Sequence, residues 1–202
     1  MESQIVFWDE QSACFDNEPD HGVRDPVVRA AWSALLAELL PDEPSRIADL
    51  GCGTGSLSVL MAQQGHSLTG VDFSPRMIEL ARKKAQDAGV QVTFTVADAA
   101  YPGLDRGQFN VVLARHVLWA LPDPAAGLGH WIDLLTPTGH LVLIEGRWST
   151  GAGLTASQTA DLVRTHGREV STTPLSDPAY WGRAIDDERY VLTSPPRITV
   201  AD

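Results

Sequence analysis

Short apolar runs alternate with helical stretches through the middle of this chain, and the first run ends in a bare glycine loop, ADLGCGTGSL, Ala48 to Leu57. Strands are expected at Arg46–Leu50, Ser67–Val71, Gln91–Val96, Phe109–Ala114 and His140–Ile144, with helices at Leu57–Gln64, Ser74–Ala88 and Pro124–Leu135 between them. Such alternation predicts a parallel sheet with helices on both faces. Phe109–Ala114 is apolar throughout, as a strand buried on both faces should be. Upstream, a helix is predicted from Pro26 to the stop at Pro41, proline being suited to a first helical turn. Residues 1–25 are mixed and polar, with Trp8 and Phe15 as isolated aromatics, and read as an arm. In the tail, Thr155–His166 reads as helix, and Glu169–Pro174 and Arg189–Thr193 as strands added antiparallel at the sheet edge. With no repeat and no low-complexity linker, the expectation is one domain over 1–202, with a lid at 1–40, a ligand-binding core at 46–146 and a substrate side at 147–202.

A parallel sheet binds ligands at the carboxyl ends of its strands, beside the point where strand order reverses. The loop after the first strand is therefore the expected site, and glycine there lets the main chain turn tightly and lie against a ligand. A phosphate-binding P-loop needs Gly-Lys-Ser/Thr after its spacer, and no lysine follows here. A dinucleotide loop counted from Gly51 needs a third glycine where Ser56 stands. What remains is Asp49-Leu50-Gly51-Cys52-Gly53-Thr54-Gly55. With this motif the chain resembles the class I S-adenosylmethionine-dependent methyltransferases. The resemblance implies an α/β, doubly wound, mostly parallel seven-stranded sheet with an antiparallel C-terminal edge strand. It implies S-adenosyl-L-methionine as cofactor and S-adenosyl-L-homocysteine as product. An acid before the loop suits a sulfonium and an ammonium, where a phosphate would be repelled.

Further positions carry the resemblance. Asp72 ends the second strand, where an acid accepts from both ribose hydroxyls; its bland alternative is a helix cap, a task Ser74 and Pro75 already serve. Phe73 and Met77 are expected on the adenine side, and each alone also reads as core filler. Asp98 and Ala99, after the third strand, match the acid and the backbone N–H that meet the adenine ring; a loop aspartate making its own turn is the alternative. Arg115 and His116 leave the fourth strand over the methionine end, where the acceptor must come. His116 is the candidate general base, or else a structural imidazole; Arg115 would hold a carboxylate of acceptor or cofactor. Phe15, Asp20, His21 and Arg24 belong to an arm that folds over the cofactor in similar enzymes, with Phe15 and His21 as contacts. The resemblance covers about residues 46–146.

Composition narrows the acceptor. A net charge of −11 disfavours nucleic acid, and the expected partner is a small molecule. The start, MESQIVFWDEQ, has acids where a signal peptide has bases, and the apolar runs fall short of the ~20 residues of a membrane helix, so a cytoplasmic monomer or homodimer is expected. Two cysteines, Cys14 and Cys52, make neither a disulfide framework nor a cytosine-attacking nucleophile. After the fourth strand Ala114-Arg115-His116-Val117 replaces the Asn/Asp-Pro-Pro-Tyr/Phe of adenine and glutamine methylation. The same region, through Leu118, Trp119 and Ala120, lacks the Glu-x-x-Glu-His of ubiquinone-type enzymes, so no metal is expected. Of six tryptophans, Trp32 and Trp131 fall on helices as core, while Trp8, Trp119, Trp148 and Trp181 are candidates for a lid or aromatic pocket. The acceptor pocket is expected from the arm, Trp119, Trp148, the WSTGAG loop and the 176–187 loop. Two alternatives stand beside methyl transfer to oxygen or nitrogen: a non-catalytic cofactor-binding module, and a nicotinamide-dependent oxidoreductase, against which Ser56 and the lack of a Tyr-x-x-x-Lys pair argue.

Overall fold

A computed structural model describes residues 2–196. Seven strands form one sheet: β1 (Arg46–Leu50), β2 (Ser67–Asp72), β3 (Val92–Val96), β4 (Phe109–Arg115), β5 (Leu135–Arg147), β6 (Ser171–Pro174) and β7 (Glu188–Ser194). Their order is β3-β2-β1-β4-β5-β7-β6. The pairs from β3 to β5 are parallel, while β7 runs antiparallel to both β5 and β6. The antiparallel strand therefore lies one place in from the margin, and β6 closes the sheet. The order reverses between β1 and β4, which opens a crevice at their carboxyl ends.

Eight helices flank the sheet among the described residues: α1 (Glu2–Phe15), α2 (Pro19–Gly22), α3 (Pro26–Leu39), α4 (Ser56–Gln63), α5 (Pro75–Asp87), α6 (Pro124–Asp133), α7 (Ala156–Thr165) and α8 (Pro178–Trp181). Four of them start the same way. Asp25, Ser74, Asp123 and Asp177 each accept a backbone N–H from the first turn, and each precedes a proline that needs no partner for its own nitrogen. The core has a layer on each face. Alternate residues of β4 feed the two: Val111 and Leu113 pack with Trp32, Leu36, Met61 and Trp181, while Val112 and Ala114 pack with Leu128, Trp131, Val163 and Tyr190.

The arm departs from its expected appearance. Residues 2–15 and 19–22 are helical, and Trp8 and Phe15 are neighbours, with edge-to-face rings 6.1 Å apart. The helix α1 carries no apolar stripe, since Val6 and Phe7 point to solvent, so periodicity gave no signal. Trp32 and Trp131 are core as expected. Trp181, a candidate for a lid or an aromatic pocket, is buried against Trp32, its indole N–H donating to the Leu175 carbonyl.

Candidate functional site

The loop after β1 is anchored to β2. The N–H groups of Gly51 and Cys52 both donate to the Val71 carbonyl, at 2.7 and 2.9 Å. Gly51 and Gly53 sit at φ 71° and 54°, in the left-handed region. Their surroundings differ. A Cβ at Gly51 would lie 2.3 Å from a methyl of Val117, so that glycine serves packing. At Gly53 the nearest atom is on the Phe15 ring at 3.4 Å, so this face of the loop is bare except for the arm.

Two carboxylates flank the loop. Asp72 ties it down from the end of β2: one oxygen accepts the Gly53 N–H and the other the Ser74 N–H, each at 2.9 Å. Burial still pushes its pKa up. Asp49, inside β1, accepts the Ser58 hydroxyl, and burial raises it to about 6. It lies beneath the loop rather than at its surface, with 3% of its area exposed. Leu50 is core. Burial, with Asp49 and Asp72 nearby, pushes the Cys52 thiol well up, which keeps it protonated. Phe73 is half-buried and Met77 buried at the start of α5. Asp98 makes its own turn by accepting the Ala100 N–H at 2.8 Å, and the Ala99 carbonyl accepts from the Trp131 indole.

The arm closes over this surface through four of its residues, Asp9, Phe15, Asp16 and Asp20. Asp9 accepts the Ser74 hydroxyl and the Arg76 N–H at the start of α5. Asp16 accepts the Thr54 hydroxyl at 2.5 Å and pairs with Lys84 at 2.9 Å; Lys84 also donates to Thr54 and Ser56. Phe15 lies over Gly53 and stacks on His21, ring centroids 4.2 Å apart. Arg115, reaching up from β4, donates to the Asp20 carbonyl at 2.6 Å and lies over the Trp32 ring. Arg24 reaches Asp16 at 3.4 Å. The sequence named Phe15, Asp20, His21 and Arg24 but missed Asp9, Asp16 and Lys84, which carry no spacing signal and meet only through the fold.

His116 is the most constrained residue of the crevice. It has φ 61°, rare for a side chain with a Cβ. Its N–H donates to the Ile144 carbonyl, and the next two N–H groups, of Val117 and Leu118, donate to one oxygen of Glu145. Glu145 is fully buried, its second oxygen has no partner, and burial lifts it to about 8, so it is a neutral acid at pH 7. The imidazole stands edge-on to Trp148 and parallel to Trp181 at 6.1 Å. Burial, with Arg115 and Arg189 nearby, holds it well below its ordinary pKa. Trp119 completes an aromatic wall, donating to the His116 carbonyl and tilted against Trp148 at 5.3 Å. From the arm, Asp20 and His21 approach within 4.8 Å of His116, measured between their polar atoms.

Comparison with known proteins fits this geometry. Residues 47–139 match the family described as a methyltransferase domain. Over those residues the chain carries the methyltransferase-domain pattern, in keeping with the resemblance to the class I S-adenosylmethionine-dependent methyltransferases. It is similar to the demethylmenaquinone methyltransferase of Thermus thermophilus, 35% identical over 117 residues, covering 56% of this chain and 53% of that protein. It spans about half the length of the curated relatives it matches. Among solved structures, the [4+2]-cyclase SpnF superposes with TM-score 0.72 at 22% identity, over 84% of this chain and 81% of that one. The 1,6-didemethyltoxoflavin-N1-methyltransferase of Burkholderia thailandensis, solved with its substrate and S-adenosylhomocysteine, superposes with TM-score 0.68 at 21% identity, over 97% and 89%. These likenesses concern the fold.

Proposed function

We propose that this chain binds S-adenosylmethionine across the carboxyl ends of β1, β2 and β3 and transfers its methyl group to an oxygen or nitrogen of a small acceptor. The carrying observation is Asp72, fixed at the bare face of the loop by Gly53 and Ser74. Each of its oxygens keeps a second lone pair for a ribose hydroxyl. Asp98 has the same capacity toward the adenine amino group, with Phe73 and Met77 beside it. Asp49 steadies the loop from below and adds negative potential. Phe15 and His21 cover the methionine side, and Arg115 is the nearest partner for a carboxylate there.

S-adenosylmethionine supplies an activated methyl on a sulfonium that leaves as a neutral thioether. The chain's work is then to align the acceptor and exclude water, which in well-oriented systems contributes ~7–11 kcal/mol. The arm excludes water by its contacts to Thr54, Ser74, Lys84 and Arg115. Trp119 and Trp148 give a flat acceptor a wall to stack on. His116, neutral at pH 7, accepts a hydrogen bond from an acceptor hydroxyl or amine and takes its proton only if the acceptor is itself acidic. Residues 2–40 serve as lid, 46–146 hold the cofactor, and 147–196 border the acceptor; Met1 and residues 197–202 of the expected segments lie outside the described residues. The acidic surface and the absence, among the described residues, of any helix long and apolar enough to cross a membrane favour a small-molecule partner.

Calorimetric titration with S-adenosylmethionine and, separately, NADH tests this reading. Binding of the first and not the second is expected, and an intact chain that binds only NADH overturns it. Formation of S-adenosylhomocysteine with a pool of phenols, carboxylic acids and amines then distinguishes a transferase from a binding module. The latter deserves the test because a neighbour of this fold is titled a cyclase.

A further inference from the structure

We propose that Asp20, His21 and His116 form a binding site for a divalent transition-metal ion of the zinc, cobalt or iron(II) type, shared between the arm and the core. These three are the only such grouping of possible ligands among the described residues, with one donor atom from each within 4.8 Å of the others. The pair His21 Nε2 and Asp20 Oδ2 stands at 3.6 Å. Donors around an ion with bonds near 2.1 Å are about 3.0–3.5 Å apart, so the third ligand has roughly 1 Å to travel. Two imidazoles and a carboxylate suit borderline metals rather than magnesium or calcium.

A second observation is independent of the spacing. The His116 Nε2 has no solvent contact and no hydrogen-bond partner. A buried nitrogen left in this state is costly unless something fills the place. The left-handed backbone of His116 is held by Ile144 and Glu145, so the fold maintains strain to keep that nitrogen where it is. A neutral imidazole is the form that ligates a metal. Arg115 and Arg189 oppose a cation, but Arg115 is turned onto the Asp20 carbonyl and the Trp32 ring, and Arg189 is paired with Asp187. Asp49, Asp16 and Asp20 add negative charge around Arg115.

Such an ion would fasten α2 to the end of β4, closing the arm. Three protein ligands leave open positions. With the ion in place His116 spends its one lone pair on the metal and no longer accepts from the acceptor; if the methyl-transfer reading above holds, an acceptor hydroxyl bound to the ion would release its proton to solvent and present an oxygen lone pair. The site itself does not depend on that reading.

The test uses the whole chain, stripped with a chelator and titrated with cobalt(II) while visible absorption and heat are recorded. One equivalent should bind at micromolar concentration or tighter, with bands of a nitrogen–oxygen site. H21A, H116A and D20N should each weaken binding more than about 10-fold, whereas H140Q should not. Failure of stoichiometric binding, or an affinity in H21A and H116A equal to that of the unsubstituted chain, overturns the proposal. Folding of each variant is checked by circular dichroism, and D20N, nearly isosteric, keeps the test decisive if a histidine variant unfolds. S-adenosylmethionine is titrated in parallel with chelator present. Cofactor binding without cobalt binding removes the metal site and leaves the methyltransferase reading standing.

Discussion

Asp72 spends one lone pair of each oxygen on its own chain, holding Gly53 and Ser74. Its removal therefore acts twice, on loop order and on the ligand. Asp72→Ala should weaken S-adenosylmethionine binding by roughly 1.5–3 kcal/mol, the scale of charged hydrogen bonds, and a calorimetric loss under about 0.5 kcal/mol would take it out of the ribose role. The glycines separate the two effects. Gly51→Ala drives a methyl into Val117 in a backbone conformation that resists it, so a stability loss above about 2 kcal/mol is expected in urea melts. Gly53→Ala meets only the Phe15 ring at ordinary contact distance. It should cost about 1 kcal/mol of stability and weaken the cofactor more than it weakens the fold. At this scale the place of the loop, with Asp49 and Asp72 flanking Gly51, Gly53 and Gly55, was legible in the sequence because a run of glycines after a buried strand marks a tight turn. The orphaned nitrogen of His116 was not, since it arises from a crossing of arm and sheet far apart in the chain.

The arm is an element held by polar contacts more than by packing. Val6 and Phe7 are exposed, while Asp9 and Asp16 reach α5 and the loop. Lys84 is largely buried, burial lowers its pKa, and Asp16 is its ion-pair partner at 2.9 Å. Asp16→Ala leaves that ammonium without its carboxylate. Limited proteolysis should then cut within residues 1–25 several-fold faster while the sheet resists, and added S-adenosylmethionine should restore part of the protection. Equal cleavage rates in the two proteins would show that Asp16 does not hold the arm. Three of the four helices begun by Asp-Pro or Ser-Pro were readable in advance for a local reason: cap and first turn are adjacent in sequence; the fourth, α8, lies in the stretch read as the 176–187 loop, its single turn too short to show a period. The helix α1 was unreadable because its stabilising partners lie on α5, and propensity without an apolar stripe says little.

For the molecule as a whole, the buried acid Glu145 sets a pH dependence. Its carboxyl titrates at about 8 in the fold against about 4.3 when unfolded. Between those values the folded chain holds one more proton than the unfolded one, so stability falls as pH rises, by up to about 1.4 kcal/mol per pH unit from this group. Asp49 adds a similar slope up to its own value of about 6. Glu145→Gln removes the proton but keeps an acceptor for Val117 and Leu118, so it should flatten the upper half of the curve and leave the variant the more stable at pH 9. Urea melts between pH 5 and 9 check this; an unchanged slope would mean the acid is ionised within the fold. The parallel half of the sheet followed from alternation alone, whereas the place of β7 did not, because its neighbours β5 and β6 come before it and nothing local marks the gap between them. That gap has a consequence for synthesis. As the chain leaves the ribosome, residues 171–174 emerge with no ladder to join, and the outer margin of β5 stays open until residues 188–194 arrive to bridge them. A nascent chain halted short of that point would display a raw hydrogen-bonding margin to its neighbours, so translation must run almost to the end of the described chain before the sheet is sealed against self-association.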